Sequence, residues 1–315
     1  MTYKNRLIFL LSLIAALVLL YAGSVIFNSD IGGARSNSFV WLDSKVAAKA
    51  VRIVINRAGD EITITKQNNQ WFVSYNGDLF PARQTRLEDF LSIFTKRAAW
   101  PVRSSGASTH TRFGLDEQEA SKITVYGENT ALLSLLIGDN DVTGREAYFR
   151  KAGENTVRSG DISVRTFLNS PVTSWFNLRL VSENDGGQIE VDSVQRLSVF
   201  NNAQTQVFSR RGRAWTISGI DIANPDKSAI DNYVRTILNT EADNFDDTVS
   251  AVSPLLENSR ITLELGNGRI VTIRLSEADE SGRRLAHVSG SDLIYSIPSW
   301  AAGRLFVNAE SLESR

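Results

Sequence analysis

The 315-residue chain has two histidines, His110 and His287, and no cysteine. A Ser–His–Asp arrangement needs a base and an orienting carboxylate within hydrogen-bond reach of a nucleophile. No Gly-x-Ser-x-Gly elbow accompanies either histidine. Each therefore reads as a surface or partly buried imidazole. Without cysteine there are no disulfides, thiolate zinc sites, thiol nucleophiles or Cys-linked lipids. Gly138-Asp139-Asn140-Asp141 places carboxylates at alternate positions, which suits calcium. A calcium loop of the EF-hand kind starting at Asp139 would need glutamate where Arg150 stands, so the stretch reads as a tight turn. Asp243, Asp246 and Asp247 surround Phe245 and read as a solvated loop. Gly266-Asn267-Gly268 lies between two alternating runs with no helix start after it; it is a hairpin signal, not a phosphate cradle. Arg210-Arg211-Gly212-Arg213 is the sharpest basic run. It could touch lipid headgroups or an acidic partner, but it stands at a hairpin turn, where exposed charge is ordinary. No Walker-type P-loop is present. The sequence thus assigns no catalytic residue, no metal ligand and no cofactor, and leaves any ligand-binding residue open.

The elements that would hold these residues are easier to read. Residues 87–94 are Leu-Glu-Asp-Phe-Leu-Ser-Ile-Phe, and residues 230–237 are Ile-Asp-Asn-Tyr-Val-Arg-Thr-Ile. Apolar side chains recur at i, i+3, i+4 and i+7: Leu87, Phe90, Leu91 and Phe94, then Ile230, Tyr233, Val234 and Ile237. That is the stripe of a helix packed on one side. The echo extends beyond the helices. Ile53 and Ile55 match Leu197 and Val199, Trp71 matches Trp215, and Pro81 matches Pro225, all 144 positions apart. After the helix the offset becomes 138: Ile123 matches Ile261, Asp141 matches Asp279, and Gly144-Arg145 matches Gly282-Arg283. Arg103 to Thr109, a surface loop in the first copy, is where the second copy is shorter. Each copy reads as strand, hairpin, strand, helix and further strands. Trp71 and Trp215 belong under their helices as repeat core.

Composition fits this plan. Apolar residues make up 42% and charged residues 22%, enough for a core and too few charges for general disorder. The 34 basic and 35 acidic residues leave a net charge of −1, so no basic field gathers nucleic acid. Leu7 to Phe27, through Leu20, carries no charge over 21 residues. At about 1.5 Å per residue a helix of that length spans a bilayer core. Lys4 and Arg6 precede it, which places the N-terminus in the cytoplasm. The expected organisation is a cytoplasmic tail at 1–6, a transmembrane anchor at 7–27, a linker at 28–45, and repeat units at 46–185 and 186–315. Structure should resume near Lys45, with Trp41 near the membrane interface. The expected fold class is α+β: two tandem repeats of a mainly antiparallel sheet with an amphipathic helix, after one N-terminal transmembrane helix.

Several motifs then fall in order: Gln70-Trp71-Phe72-Val73, a proline, the helix, a Phe113-Gly114-Leu115 turn, Leu135-Leu136-Ile137-Gly138, and Tyr148 in the next strand. In this the chain resembles a bacterial domain-of-unknown-function family often encoded beside gliding-motility-type ABC transporter genes. The resemblance covers most of residues 46–315 in two copies. The second copy departs from it, with Val252-Ser253-Pro254-Leu255 in place of Phe-Gly-Leu and Arg274-Leu275-Ser276 in place of Leu-Ile-Gly. The family brings no catalytic residues. It implies a single-pass inner-membrane protein with its bulk in the periplasm. The expected function is a non-catalytic accessory or scaffold, with the lipid bilayer and an ABC permease and ATPase as partners. The alternatives are a periplasmic ligand- or glycan-binding module with a groove between the copies, and a hydrolase.

Overall fold

The computed structural model describes residues 38–57, 59–183, 187–222, 224–307 and 309–313. The expected anchor, with Leu7, Leu20 and Phe27, lies outside the described residues. Among the described residues no helix is long and apolar enough to cross a membrane.

The chain folds earlier than the 28–45 linker implies. Strand β1 (Ser38–Phe39) pairs with β6 (Ala98–Ala99), and helix α1 (Ser44–Ala47) is capped by the Asp43 carboxylate. Trp41 packs edge-on against Trp100 at 5.4 Å and Phe39 at 5.0 Å. It is therefore part of the first unit's core.

Alternating apolar residues build the first sheet from β2 (Arg52–Arg57), β3 (Asp60–Gln67), β4 (Gln70–Tyr75), β5 (Asp78–Pro81), β7 (Val102–Ser104), β8 (Ser121–Tyr126), β9 (Ala131–Asn140), β10 (Glu146–Lys151) and β11 (Val157–Asp161). Its order is β5-β4-β3-β2-β8-β9-β10-β11-β7. The second sheet uses β12 (Val194–Asn201), β13 (Gln204–Arg211), β14 (Ala214–Ser218), β15 (Asn244–Asp246), β16 (Ser259–Leu265), β17 (Ile270–Leu275), β18 (Arg284–Val288) and β19 (Ile294–Ile297), in the order β14-β13-β12-β16-β17-β18-β19-β15. All these neighbours are antiparallel. Strand for strand the second order repeats the first, less β5. Pro81 closes β5 on the sheet edge, where a missing N–H breaks no ladder. Arg103 and Ser104 lie in edge strand β7 rather than in a loop, and Asp246 ends edge strand β15.

One long helix lies on each sheet. Helix α2 (Gln84–Thr95) buries Leu87, Phe90, Ile93 and Phe94, while Leu91 is only partly buried beside the core. Short helix α3 (Val164–Leu168) and a turn carrying Trp175 pack beside it, with Phe90 5.3 Å from both Phe167 and Trp175. Helix α4 (Lys227–Leu238) buries Ile230, Tyr233, Val234 and Ile237 and is capped by Asp226, whose carboxylate accepts from the Ser228 and Ala229 amides. Arg83 holds the corresponding place before α2 and makes no side-chain cap. Trp71 and Trp215 are buried in their sheets, as are Ile53, Ile55, Leu197 and Val199. Each such aliphatic contributes about 1.5–3 kcal/mol on burial. Helix α5 (Ser299–Ala302) follows β19.

The connection between the sheets is strapped to both. The Asn177 amide donates to Pro81 O and the Arg83 amide to Trp175 O, each at 2.7 Å. Further on, Leu180 N donates to Thr240 O and Ala242 N to Leu178 O. Phe80 of the first unit stacks on Phe245 of the second at 4.9 Å, with Phe176 of the strap 4.8 Å from Phe80. Aromatic rings therefore fill the place where a groove between the copies was expected. Glu241 of the second unit accepts from Arg83 of the first at 2.9 Å.

Candidate functional site

Because the sheets share one strand order, a site shows where they differ. In the first unit the Phe113-Gly114-Leu115 turn lies flat on β9 and β10. Leu115 is fully buried with Leu136 and Val157, and the Phe113 ring lies 4.5 Å from that of Tyr148. The seat depends on two glycines. A side-chain carbon on Gly138 would sit 2.0 Å from the Phe113 carbonyl oxygen, and one on Gly114 would sit 2.7 Å from the Asp139 carboxylate. Gly114 also has φ +64°, a left-handed conformation that other residues adopt only at a cost. Arg150 fixes the seat from below. Its buried guanidinium donates to the Leu115 and Glu154 carbonyls at 3.0 Å.

In the second unit Ser276 stands where Gly138 stood. Its hydroxyl accepts from the Leu285 amide and donates to the Glu277 carbonyl. The matching segment, Val252-Ser253-Pro254-Leu255, runs into a short turn (Pro254–Glu257) that packs on β17 and β18 but turns its apolar side chains differently. Leu256 alone is buried, while Val252 is 83% and Leu255 64% exposed. Between this lip and the strands is a cleft of about 840 Å³, lined among others by Pro254, Leu255, Ser276, Ala278, Arg284 and Leu285. The lip is still tethered, but from the neighbouring strand. Arg150 pairs in register with Leu136, and their counterparts His287 and Arg274 pair likewise. Here it is Arg274 that reaches the lip, donating to the Ala251 carbonyl and, at 2.8 Å, to Glu257. Its Nη2 also donates to His287 Nδ1 at 2.9 Å, and His287 Nε2 donates to the Ser291 carbonyl at 2.6 Å. Both imidazole nitrogens are spent on structure, and no carboxylate orients the ring. His110 is partly buried and meets only the Asn155 carbonyl, at 3.2 Å.

The ion pairs of the cleft's charged residues are made with neighbours outside it, Arg283 with Asp243 and Glu257 with Arg274. Arg283 donates to Asp243 and, at 3.1 Å, to the Ser296 hydroxyl. Arg284 donates to Ser276 O at 2.7 Å and lies over the Phe306 ring; burial lowers its pKa despite nearby Glu277. Asp279 accepts from the Ser281 hydroxyl and amide and from the Arg283 amide, and these bonds hold its carboxyl below the usual range. The first-unit counterpart Asp141 is consumed in the same way. Its carboxylate accepts from Thr143 Oγ1 and from the Glu146 and Arg145 amides, which brings its pKa down to about 2. The Asp139–Asp141 stretch is thus a self-capped turn, with φ +66° at Gly144. No group of three or more potential ligands that could hold a metal occurs among the described residues.

Other residues singled out in the sequence lie apart. Arg211 and Arg213 are exposed at the β13–β14 hairpin turn, but Arg210 is not. Its guanidinium sits 4.5 Å over the Trp215 ring and pairs with Asp231 at 3.1 Å. Burial pushes the Asp231 carboxyl up. Hydrogen bonds from Lys227 and Trp215 and the charges of Lys227 and Arg210 outweigh that and hold it below its ordinary value. Gly266-Asn267-Gly268 forms a hairpin turn in which Arg269 N donates to the Asn267 side chain. Phe245, flanked by the three aspartates, belongs to the aromatic seam. The site residue that sequence reasoning missed is Ser276. Its signal was present, since Ser276 replaces the glycine of the Leu-Leu-Ile-Gly motif.

The family described as Domain of unknown function (DUF4340) matches residues 71–259, from β4 of the first sheet to the first residue of β16 in the second. No curated protein matches this chain. Among solved structures, a DNA polymerase sliding clamp from Pseudomonas aeruginosa is similar at 9% identity, with a TM-score of 0.15 over 83% of this chain. This chain spans 60% of that one, and a likeness at that score carries no argument.

Proposed function

We propose, for a chain that belongs to the DUF4340 family, a non-catalytic role as a membrane-anchored extracytoplasmic accessory protein. In this reading residues 7–27 anchor it in the bacterial inner membrane with the N-terminus cytoplasmic. The two units stand in the periplasm and serve an ABC-transporter or gliding-type envelope complex. One observation supports this reading most. The second unit repeats the first unit's strand order, less β5, and beside the exposed Leu255 it presents an open cleft. Exposed large apolar side chains gathered at a cleft mark docking surfaces. Polar groups in the same cleft are tied to one another rather than converging on a reacting atom, which speaks against chemistry. The test is affinity purification of the full-length protein from its native membrane in mild detergent, followed by mass spectrometry. Stoichiometric recovery of a permease and its ATPase is expected. Recovery of the protein alone, even after crosslinking, would overturn the assignment.

One observation favours ligand binding as a second reading. Trp300 is 63% exposed beside a cleft of about 470 Å³ that also includes Asn232, Arg235, Asn239 and Glu241. An open indole ringed by amides, a guanidinium and a carboxylate is suited to a sugar ring. Saturable quenching of Trp fluorescence by oligosaccharides, lost in Trp300→Ala, would support it; no quenching would remove it.

A further inference from the structure

Leu256 is buried on β17 and β18 in the second unit, as Leu115 is buried in the first; what the second leaves open is the place that Phe113 covers in the first. In the first unit the seat takes a turn of chain, with Phe113 on Tyr148 and Leu115 sunk between Leu136 and Val157. In the second, Leu285 stands opposite Ser296 as Tyr148 stands opposite Ser159, so the floor is again apolar, with Ala278 beside it. The chain's own segment brings no ring to this place: it carries Val252-Ser253-Pro254-Leu255 where the first unit has Phe113-Gly114-Leu115, and Arg274 holds it at Ala251 and Glu257. A second copy cannot supply its Phe-Gly-Leu turn either, since Leu115 is fully buried at home and its carbonyl is held by Arg150. Charge narrows the choice further. Asp246, Glu257, Glu277 and Asp279 line the cleft against Arg283 and Arg284, leaving the rim acidic. Outside the rim, Asp243 and Arg274 each balance one of these charges and leave the excess as it is.

We propose that the second unit's cleft receives a turn of a partner protein, carrying a large apolar side chain next to a lysine or arginine. The apolar side chain lies on Leu285 and Ala278 under the Leu255 lip, and its basic neighbour faces Glu277. This rests on the accessory reading above and adds to it the chemistry of the contact. The incoming side chain takes the place that Phe113 holds on Tyr148 in the first unit.

The test uses the full-length protein in its native membrane with a photoreactive benzophenone side chain at position 255, and a control at Val142, exposed in the first unit's β9–β10 hairpin. Crosslinked peptides are digested and sequenced by mass spectrometry. Position 255 should capture one segment of one membrane-complex protein, with an apolar residue adjacent to lysine or arginine, and position 142 should not. Ala278→Trp places an indole in the cleft from an exposed position and should cut the yield about tenfold, the loss of some 1.4 kcal/mol of contact. Glu277→Lys should weaken capture without abolishing it. Capture of lipid or a small molecule only, of a segment without the basic–apolar pair, or a yield indifferent to Ala278→Trp, would overturn the proposal. If a permease and ATPase co-purify while position 255 stays silent, the occupant is wrong and the accessory role stands. If nothing co-purifies, the role itself fails.

Discussion

Arg103, Glu146 and Ser159 meet at one rim of the first sheet, and Asp243, Arg283 and Ser296 meet at the same rim of the second. In the first, the cation comes from edge strand β7. Arg103 donates to Glu146 at 2.8 Å and to Ser159 Oγ at 2.7 Å, and Ser159 donates to Glu146. In the second, the edge supplies the anion, and Arg283 donates to Asp243 and to Ser296. The charges have traded sides around a serine that stayed. Reversal is tolerated because a pair that changes together keeps its attraction, and because such half-exposed pairs contribute little, about 0–1 kcal/mol. The tethers behave likewise, with Arg150 and Arg274 holding a loop carbonyl from adjacent strands. The turn seat is different. It needs the absence of a carbon at position 138, and no exchange of partners can restore that absence once serine is present. Polar contacts have drifted between the units while preserving form; one steric change has altered the surface.

The comparison can be broken most severely at Leu115. Leu115→Ala should cost about 2–5 kcal/mol, as for buried leucines generally, while Leu255→Ala should move stability by less than about 0.5 kcal/mol. Denaturant titration of both variants reads this directly, and equal effects would deny that the two lips differ. The hairpins sharpen it next. Asp231→Ala removes one of the two carboxylates that Arg210 pairs with, leaving Asp192 at 2.8 Å, and should cost about 1.5–3 kcal/mol, as for hydrogen bonds to charged groups. Lys66→Ala in the first unit, where the cation sits 5.9 Å from Trp71, should cost under about 1 kcal/mol. Gly138→Ser should then convert the first seat toward the second. Overpacking of this kind costs about 1–3 kcal/mol, and amide exchange should rise in residues 111–116 ahead of the rest of the sheet. The smallest effect is in acid. The folded Asp141 pKa, about 2, lies below its ordinary value of 3.8. Its stabilisation is therefore present above about pH 4 and lost as pH falls through 2. Asp279 shifts the same way. Asp141→Asn should flatten the wild-type loss of thermal stability between pH 4 and 2, and an unchanged slope would show the carboxylate to be idle.

Much of the fold was legible because burial on one face imprints a period. Ile53/Ile55 and Leu197/Val199 alternate, and Phe90/Phe94 and Tyr233/Ile237 recur at helical spacing, so strands, helices and their repetition can be read. What was illegible depends on contacts distant in sequence. Nothing near Arg210 announces that Asp231, a helix away, will draw it inward. Nothing near Trp41 announces Trp100. Residues 243–247 look solvated because three of the five are aspartates, while Phe245 goes to a seam made with the other unit. The cleft was half visible: Ser276 and Val252-Ser253-Pro254-Leu255 stood out as departures, but only the 2.0 Å approach at Gly138 says why they open space.

The strap from Trp175 to Leu180 has a thermal meaning. Its backbone is bonded to both sheets, and Phe80, Phe176 and Phe245 share one apolar contact, so neither sheet can melt without exposing rings that belong to the other. Two folded copies of one pattern would ordinarily give two separate heat-absorption peaks. Joined in this way, they should absorb heat as a single body, with a calorimetric enthalpy equal to the van't Hoff value.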